Sequence, residues 1–402
     1  MSSPETSTAA VFLDRISNLS DDILIHIISS LPTKQAFLTS ILSKRWKNLW
    51  CYVPDVEFIE AKDSGSKDSF DEFVYYVLRS RETAGNHSIR SFIMNVEHHS
   101  SRLYDLVVGK SPELPYTTIL TCTTLVVLKL NFMDMGDKFS PFNVTLPSLK
   151  TLHLTNITFE QDDDLMYLIE GCPILEDLHL FEVFDGTYAD CNWKTLTMLN
   201  RADVTECYIS LEAISNVEFL RIRLSRACQS CYFPTFHNLT HLVLNYDWDT
   251  VAKMLLHCPK LRNLDLYQVC FLNFKNYICF FFSYRTCFLF LLCYYQIIPD
   301  NFCGHDYFGQ YMHETWAHPK FVPGCLSSNL RTCTMRDFAF GGLQSYHIML
   351  AKFILKNSPV LDTMSIWCSR KQSKIERRLT SCSRASATCQ LSIYFKRVVL
   401  QA

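Results

Sequence analysis

The pattern Leu-x-x-Leu-x-Leu recurs through this chain, and it restricts the possible folds more than any other feature. Copies read LVVLKL from Leu125, LKTLHL from Leu149, LEDLHL from Leu175, VEFLRI from Val217, LTHLVL from Leu239 and LRNLDL from Leu261. Weaker copies begin at Leu196, Leu330 and Leu361. From Leu125 to Leu261 the starts lie 24, 26, 21, 21, 22 and 22 residues apart. Alternate residues of an extended segment point to one face, so each copy has leucines to bury and few partners of its own. A regular period of this length means that neighbouring copies stack to complete one core.

The spacing is that of leucine-rich repeats and predicts an α/β solenoid in which a short strand alternates with a helical or irregular return. Helical returns are legible as DDDLMYLIEGCP, DTVAKMLLHCP and YHIMLAKFILKNSP. They end at Pro173, Pro259 and Pro359, each two residues before the first leucine of a copy. Proline disfavours helix in the residue before it, so it ends the return and starts an extended entry.

The chain has 402 residues, 48% of them apolar and 19% charged, a balance that predicts folding around a core. Its formal net charge is −2, and it has no basic stripe, which argues against nucleic acid as a partner. The densest basic stretch, Lys371 to Arg378, reads as one solvated helix face. The 18 cysteines are scattered without the spacing of a disulfide framework. The first residues, MSSPETSTAAVFLDR, lack the apolar core of a signal peptide. Reduced thiols in the cytoplasm or nucleus are the expectation.

Residues 13–50 read as three short helices. Ser20 is placed to cap a helix from Asp21 to Ser30, with Asp21 and Asp22 in its first turn. Pro32 stops it, Thr33 is placed to cap a second helix running to Leu42, and Ser43 a third bearing Trp46, Leu49 and Trp50. So small a helical unit buries little surface alone, which predicts an apolar face left for a partner. The segment resembles the F-box through Leu19, Ile23-Leu24, Ile27-Ile28, Leu31-Pro32-Thr33-Lys34, Thr39 and Leu42-Ser43-x-Arg45-Trp46-x-x-Leu49-Trp50. Ser20 stands where that family has proline.

The resemblance implies binding to a Skp-type adaptor and, through it, to a cullin. The implied adaptor-binding residues are Leu19, Ile23, Leu24, Ile27, Leu31, Pro32, Leu42, Trp46, Leu49 and Trp50. Towards the other end, Cys325-Leu326-Ser327-Ser328-Asn329-Leu330 and Arg384-Ala385-Ser386-x-x-Cys389-Gln390-Leu391 resemble the FBD domain of plant F-box proteins. The expected organisation is a three-helix F-box at 13–60, a leucine-rich-repeat solenoid at 61–322, and an FBD cap at 323–393.

One stretch breaks the period. The step from Leu261 to Leu330 is 69 residues and contains the Phe-, Tyr- and Cys-rich segment 269–296. This segment has no Ala, Gly, Pro, Asp or Glu, and it reads as a T-rich intron translated as protein. Removing its 28 residues leaves 41, close to two ordinary repeats. As a membrane span it would carry Arg285 in mid-course, with a cost that offsets most of the apolar gain.

Catalytic and metal motifs are weak. Cys228-x-x-Cys231 with His237 and His241 has a zinc-like donor set, but only five residues separate Cys231 from His237. Asp162-Asp163-Asp164 fits helix-start acids better than a cation site. No phosphate loop, nucleophile elbow or paired-His protease motif occurs. What the F-box resemblance implies is a non-catalytic receptor subunit of a ubiquitin ligase, without cofactor or metal, that binds the adaptor and a protein target. The alternatives are a repeat scaffold without ligase association and a repeat protein anchored in a membrane by 277–296.

Overall fold

In the computed structural model the leucine patterns become short parallel strands. The structure describes residues 16, 18–60, 67–96, 119–135, 144–159, 161, 163–185, 193–205, 209–223, 233–244, 248–267, 321–338, 344–368 and 373–395. The chain divides into two compact units, Met1–Cys191 and Asn192–Ala402.

The first unit opens with helices α1 (Asp21–Ile28) and α2 (Thr33–Leu38) and two 3-10 segments, Thr39–Ile41 and Trp46–Tyr52. Strand β1 (Asp55–Ile59), helix α3 (Lys67–Thr83), and strands β2 (Ser91–Asn95), β3 (Val127–Asp134), β4 (Thr151–Phe159) and β5 (Asp177–Asp185) follow. Each strand pairs in parallel with the next in sequence. The second unit repeats this wiring through β6 (Arg201–Thr205), β7 (Phe219–Ile222), β8 (His241–Leu244), β9 (Asn263–Tyr267), β10 (Thr332–Phe338), β11 (Thr363–Cys368) and β12 (Gln390–Phe395).

The leucines do what their spacing predicts. Leu128, Leu152 and Leu178 stand in register across β3, β4 and β5 and are buried, as are Leu130, Leu154 and Leu180. In the second unit Leu220, Leu242 and Leu264 continue to Cys333 and Met364 in the same way. Each such side chain removed from water contributes about 1.5–3 kcal/mol. Helices at Asp164–Glu170, Trp248–Leu256 and Gln344–Asn357 occupy the three returns read from sequence. The first of these ends at Gly171, where a Cβ would lie 2.8 Å from Val144 Cγ1 and from Val144 O, so only glycine fits against the segment that leads into β4.

A repeated backbone clasp joins neighbouring repeats. Two successive N–H groups at the start of a strand donate to one carbonyl of the preceding repeat. Lys150 and Thr151 donate to Val126 O (2.9 and 3.1 Å), and Thr240 and His241 to Glu218 O (2.9 and 3.1 Å). Arg90 and Ser91 bind Pro54 O in the same manner, at 2.8 and 3.4 Å. The stack therefore begins at Asp55, inside the span assigned from sequence to the F-box.

The clasp also bears on two sequence readings. Arg331 and Thr332 donate to Arg262 O (2.8 and 3.0 Å), and Thr332 pairs directly with Asn263. Strand β10 thus pairs directly with β9, so the described residues place no further strand between them within the 69-residue step. Segment 269–296 itself lies outside the described residues. The weak copy placed at Leu196 starts instead at Leu199, whose N–H donates to Leu196 O (3.3 Å), as Leu175 N–H does to Cys172 O.

Three strands of the first unit share a kink. Phe132, Asn156 and Glu182 have φ of 55°, 52° and 52°. They sit at one level of the sheet, between the paired rows Asn131–Thr155–Phe181 and Met133–Ile157–Val183. The left-handed residue adds one position, so Thr155 and Asn156 both face away from the core before Ile157 returns to it. A left-handed conformation at a non-glycine residue costs about 1–2 kcal/mol, and here it is repeated because the stacked strands must bend together.

Candidate partner-binding site

Helix α1 carries two apolar stripes instead of one. Leu24 and Ile28 are 0% and 1% exposed, whereas Ile23 and Ile27 are 47% and 45% exposed. Residues four apart share a helix face, so one pair enters the core and the other meets solvent. Leu38 in α2, Ile41 in the first 3-10 segment, and Leu42 just after it are also exposed, Ile41 at 80%. Arg45 binds Asp21 through Nε (2.8 Å) and donates from Nη2 to Leu19 O. It thereby holds the segment after Leu42 against the head of α1. Both Arg45 and Asp21 meet solvent, so the pair fixes geometry more than it adds stability.

The ten residues implied by the F-box resemblance divide by environment. Ile23, Ile27, Pro32 and Leu42 are exposed, and Leu19 and Leu31 are half-buried. Leu24, Trp46, Leu49 and Trp50 are buried. These four support the face from within and do not offer contact surface in the free chain. Leu38 and Ile41 belong to the exposed set and were not singled out from sequence. Two local expectations also change. Ser20 precedes α1 but makes no side-chain cap bond. Thr33 is the first residue of α2, and its hydroxyl accepts from Glu57 N–H (2.7 Å), tying α2 to β1. The expected third helix is the 3-10 segment Trp46–Tyr52.

An aromatic cluster joins this module to the first repeats. Phe37 of α2 meets Trp50 (5.2 Å), Phe73 (5.9 Å) and Tyr76 (5.6 Å), each edge to face. Phe58 of β1 continues the contact to Phe73 and to Phe92 of β2. Arg81 of α3 is buried beside it and donates to Val53 O (2.7 Å) and Ser88 O (2.8 Å). Burial lowers its pKa to about 10, which still leaves it charged at neutral pH.

Among the described residues, the other candidates from sequence form no cluster. His237 is exposed, while His241 faces outward from β8 and contacts Asp265 at 3.4 Å. Cys228 and Cys231 lie outside the described residues. Asp163 precedes the helix Asp164–Glu170, and buried Asp164 accepts from Gln161 N–H (3.3 Å); Asp162 lies outside the described residues. Among the described residues, no group of three His, Cys, Asp or Glu side chains could hold a metal ion. Burial raises the Cys172 thiol to about 12 and the Cys325 thiol to about 11, and raises Cys258 and Cys333 as well. Cys172 and Cys258 donate to the carbonyls of Leu168 (3.2 Å) and Met254 (3.1 Å), packing as small side chains where helical returns end. In the helix Ser373–Thr380, Arg377 and Arg378 are exposed, as the solvated-face reading expects. No helix of the described residues is long and apolar enough to cross a membrane, and 277–296 lies outside them.

Comparison with known proteins gives this arrangement its place. The F-box domain model matches residues 16–56, the LRR repeats of an FBD-associated F-box protein match 101–200, and the FBD model matches 318–366. An Arabidopsis thaliana F-box/FBD/LRR-repeat protein is 26% identical over 468 aligned residues, spanning 95% of this chain and 94% of its own. The chain thus carries matches to F-box, LRR and FBD models and is similar over most of its length to Arabidopsis F-box/FBD/LRR-repeat proteins. Another F-box/FBD/LRR-repeat protein of that plant is 28% identical across 63% of this chain and 77% of its own. An FBD-associated F-box protein from the same species is 30% identical, covering 63% and 64%. F-box domains generally bind Skp-type adaptors, and the module carrying that match here is the one with the exposed second stripe.

Proposed function

We propose that this F-box/FBD/LRR-repeat chain is a non-catalytic receptor subunit of a Skp–cullin–F-box ubiquitin ligase, working in the cytoplasm or nucleus. The F-box binds the adaptor, and the repeats bind a protein target. The observation that carries the reading is the solvent-facing set Ile23, Ile27, Leu38, Ile41 and Leu42 on a module that already has its own core. Large apolar side chains gathered on one small module mark a surface for a partner. The buried residues Leu24, Trp46, Leu49 and Trp50 hold that surface in shape. Free thiols at nine described cysteines fit a reducing compartment. In this role the chain contributes proximity, holding a target near the charged enzyme, and no bond chemistry of its own.

The test is capture of a purified Skp-type adaptor by the full chain, comparing wild type with Ile27→Asp plus Leu42→Asp. Both sites are exposed, so the melting temperature should not move. Two apolar contacts at about 1.5 kcal/mol each predict a loss of about 100-fold in affinity. Undiminished capture by the double variant overturns the assignment.

A further inference from the structure

The outward face of the last four strands carries a row of side chains suited to recognition. Tyr267 on β9 pairs in register with Arg336 on β10. Arg336 follows Met335, whose partner Ile366 precedes Trp367 on β11, and Trp367 pairs with Tyr394 on β12. The β10–β11 register shifts between Met335 and Phe338, so Arg336 lies at the level of the Trp367–Tyr394 pair without pairing with Trp367, and Tyr267, Arg336, Trp367 and Tyr394 fall at about one level on four neighbouring strands. Trp367 and Tyr394 stack at 4.4 Å with planes 21° apart, yet remain 41% and 42% exposed. The Ser365 and Ser392 side chains stand one layer earlier on the same face, half-buried.

Charge on this face is mostly matched before the row is reached. Arg201 lies over the Phe219 ring at 3.7 Å, Arg221 pairs with Asp203 at 2.8 Å, and His241 contacts Asp265. Hydrogen bonds from His241 and Thr334 and the nearby Arg336 charge outweigh burial and hold the Asp265 carboxyl below its usual range. Exposed Arg336 makes no hydrogen bond or ion pair with another residue among the described residues, although it feels Asp265 through space. A guanidinium fork beside two exposed aromatic planes is complementary to a carboxylate next to an apolar side chain. Trp, Tyr and Arg are also the residues that dominate protein-binding hot spots.

We infer that Tyr267, Arg336, Trp367 and Tyr394 form the target-binding site. Its ligand is an extended protein segment with an acidic side chain beside an aromatic or large aliphatic one. The inference rests on the receptor role proposed above and gives the FBD region a recognition function beyond closing the stack. Four strands at ~4.8 Å spacing make a row of ~14 Å, the reach of about four extended residues. The acid meets Arg336, its apolar neighbour lies on Trp367 and Tyr394, and Ser365 and Ser392 are placed to bond the segment's backbone.

The probe is a fluorescein-labelled octapeptide with adjacent Phe and Asp, titrated into the full chain by fluorescence polarisation. Controls carry Asn for Asp or Ser for Phe. The Phe–Asp peptide should bind about tenfold more tightly than its Asn control, the size of one charge-assisted contact. Arg336→Gln should erase that preference, and Trp367→Ser should weaken the Phe-containing peptides about tenfold. Both side chains are exposed, so the variants should melt as wild type does. Equal binding of the Asp and Asn peptides to wild type overturns the site, as does Trp367→Ser binding at full strength. Adaptor capture by the same preparations separates the two ideas. Capture without any peptide preference overturns the site alone, whereas preference without capture supports the site and overturns only the ligase role.

Discussion

Arg81 offers the sharpest test of how the F-box is joined to the repeats. The residue is 2% exposed, and its guanidinium donates to Val53 O, at the end of the F-box, and to Ser88 O, before β2. Burial lowers its pKa from 12.5 to about 10, a desolvation cost of about 3 kcal/mol at neutral pH. Two hydrogen bonds from a charged donor contribute about 2–3 kcal/mol each. Arg81→Met removes both terms, so the expected loss is about 2 kcal/mol. Urea unfolding followed by tryptophan fluorescence reads this directly, because Trp50 lies in the same cluster. The folded pKa lies below the unfolded one. Wild type therefore gains stability as pH rises above about 10 and carries a constant penalty below it. From pH 6 to 9 the gap between wild type and variant should stay flat. A variant as stable as wild type, or a gap that varies across that window, refutes the reasoning.

Two further outcomes follow from the repeat geometry. The Ser358 hydroxyl is fully buried without a hydrogen-bond partner among the described residues, at the position where Cys172 and Cys258 donate to a carbonyl four residues back. Ser358→Cys should stabilise the second unit by about 1 kcal/mol, read as a higher urea midpoint; a lower midpoint contradicts the equivalence. Deleting 269–296, which we propose is a retained intron, leaves 41 residues to run from Leu261 to Leu330. The clasp of Arg331 and Thr332 onto Arg262 should survive, giving one cooperative melt at or above the parent temperature. Loss of that melt would show that the segment is part of the fold, and an uninterrupted coding read across it in the dominant transcript would sink the intron proposal.

The strands with a full leucine pattern were legible because alternation and period agree there, whereas at the weak copy near Leu196 the period alone put the start three residues early. Strands β1 and β2 were not, since they lack the full pattern. Their only signals are the short alternations Val56–Phe58 and Phe92–Met94, which are buried like the leucines elsewhere. The 3-10 geometry of Trp46–Tyr52 was hidden for another reason. Residues at i and i+3 share a face in either helix type, so Trp46 and Leu49 fit both. The F-box residues were visible as a set but not as two layers. Ile23 and Leu24, like Ile27 and Ile28, are chemically equivalent neighbours, and only packing against the 3-10 segment decides which of each pair turns inward.

That packing bears on the receptor role proposed above. Transfer by proximity depends on effective concentration, which falls when a long flexible linker spreads the partners apart. Here only Val53 and Pro54 separate Tyr52 from the first strand, and Pro54 O is itself the clasp acceptor for β2. Phe37, Trp50, Phe73 and Tyr76 interlock α2, the 3-10 segment and α3. Thr33 and Arg81 add hydrogen bonds to β1 and to the loop before β2. The F-box and first repeats of this unit therefore share one core. An adaptor seated on Ile23 and Ile27 would be held in fixed relation to those first repeats.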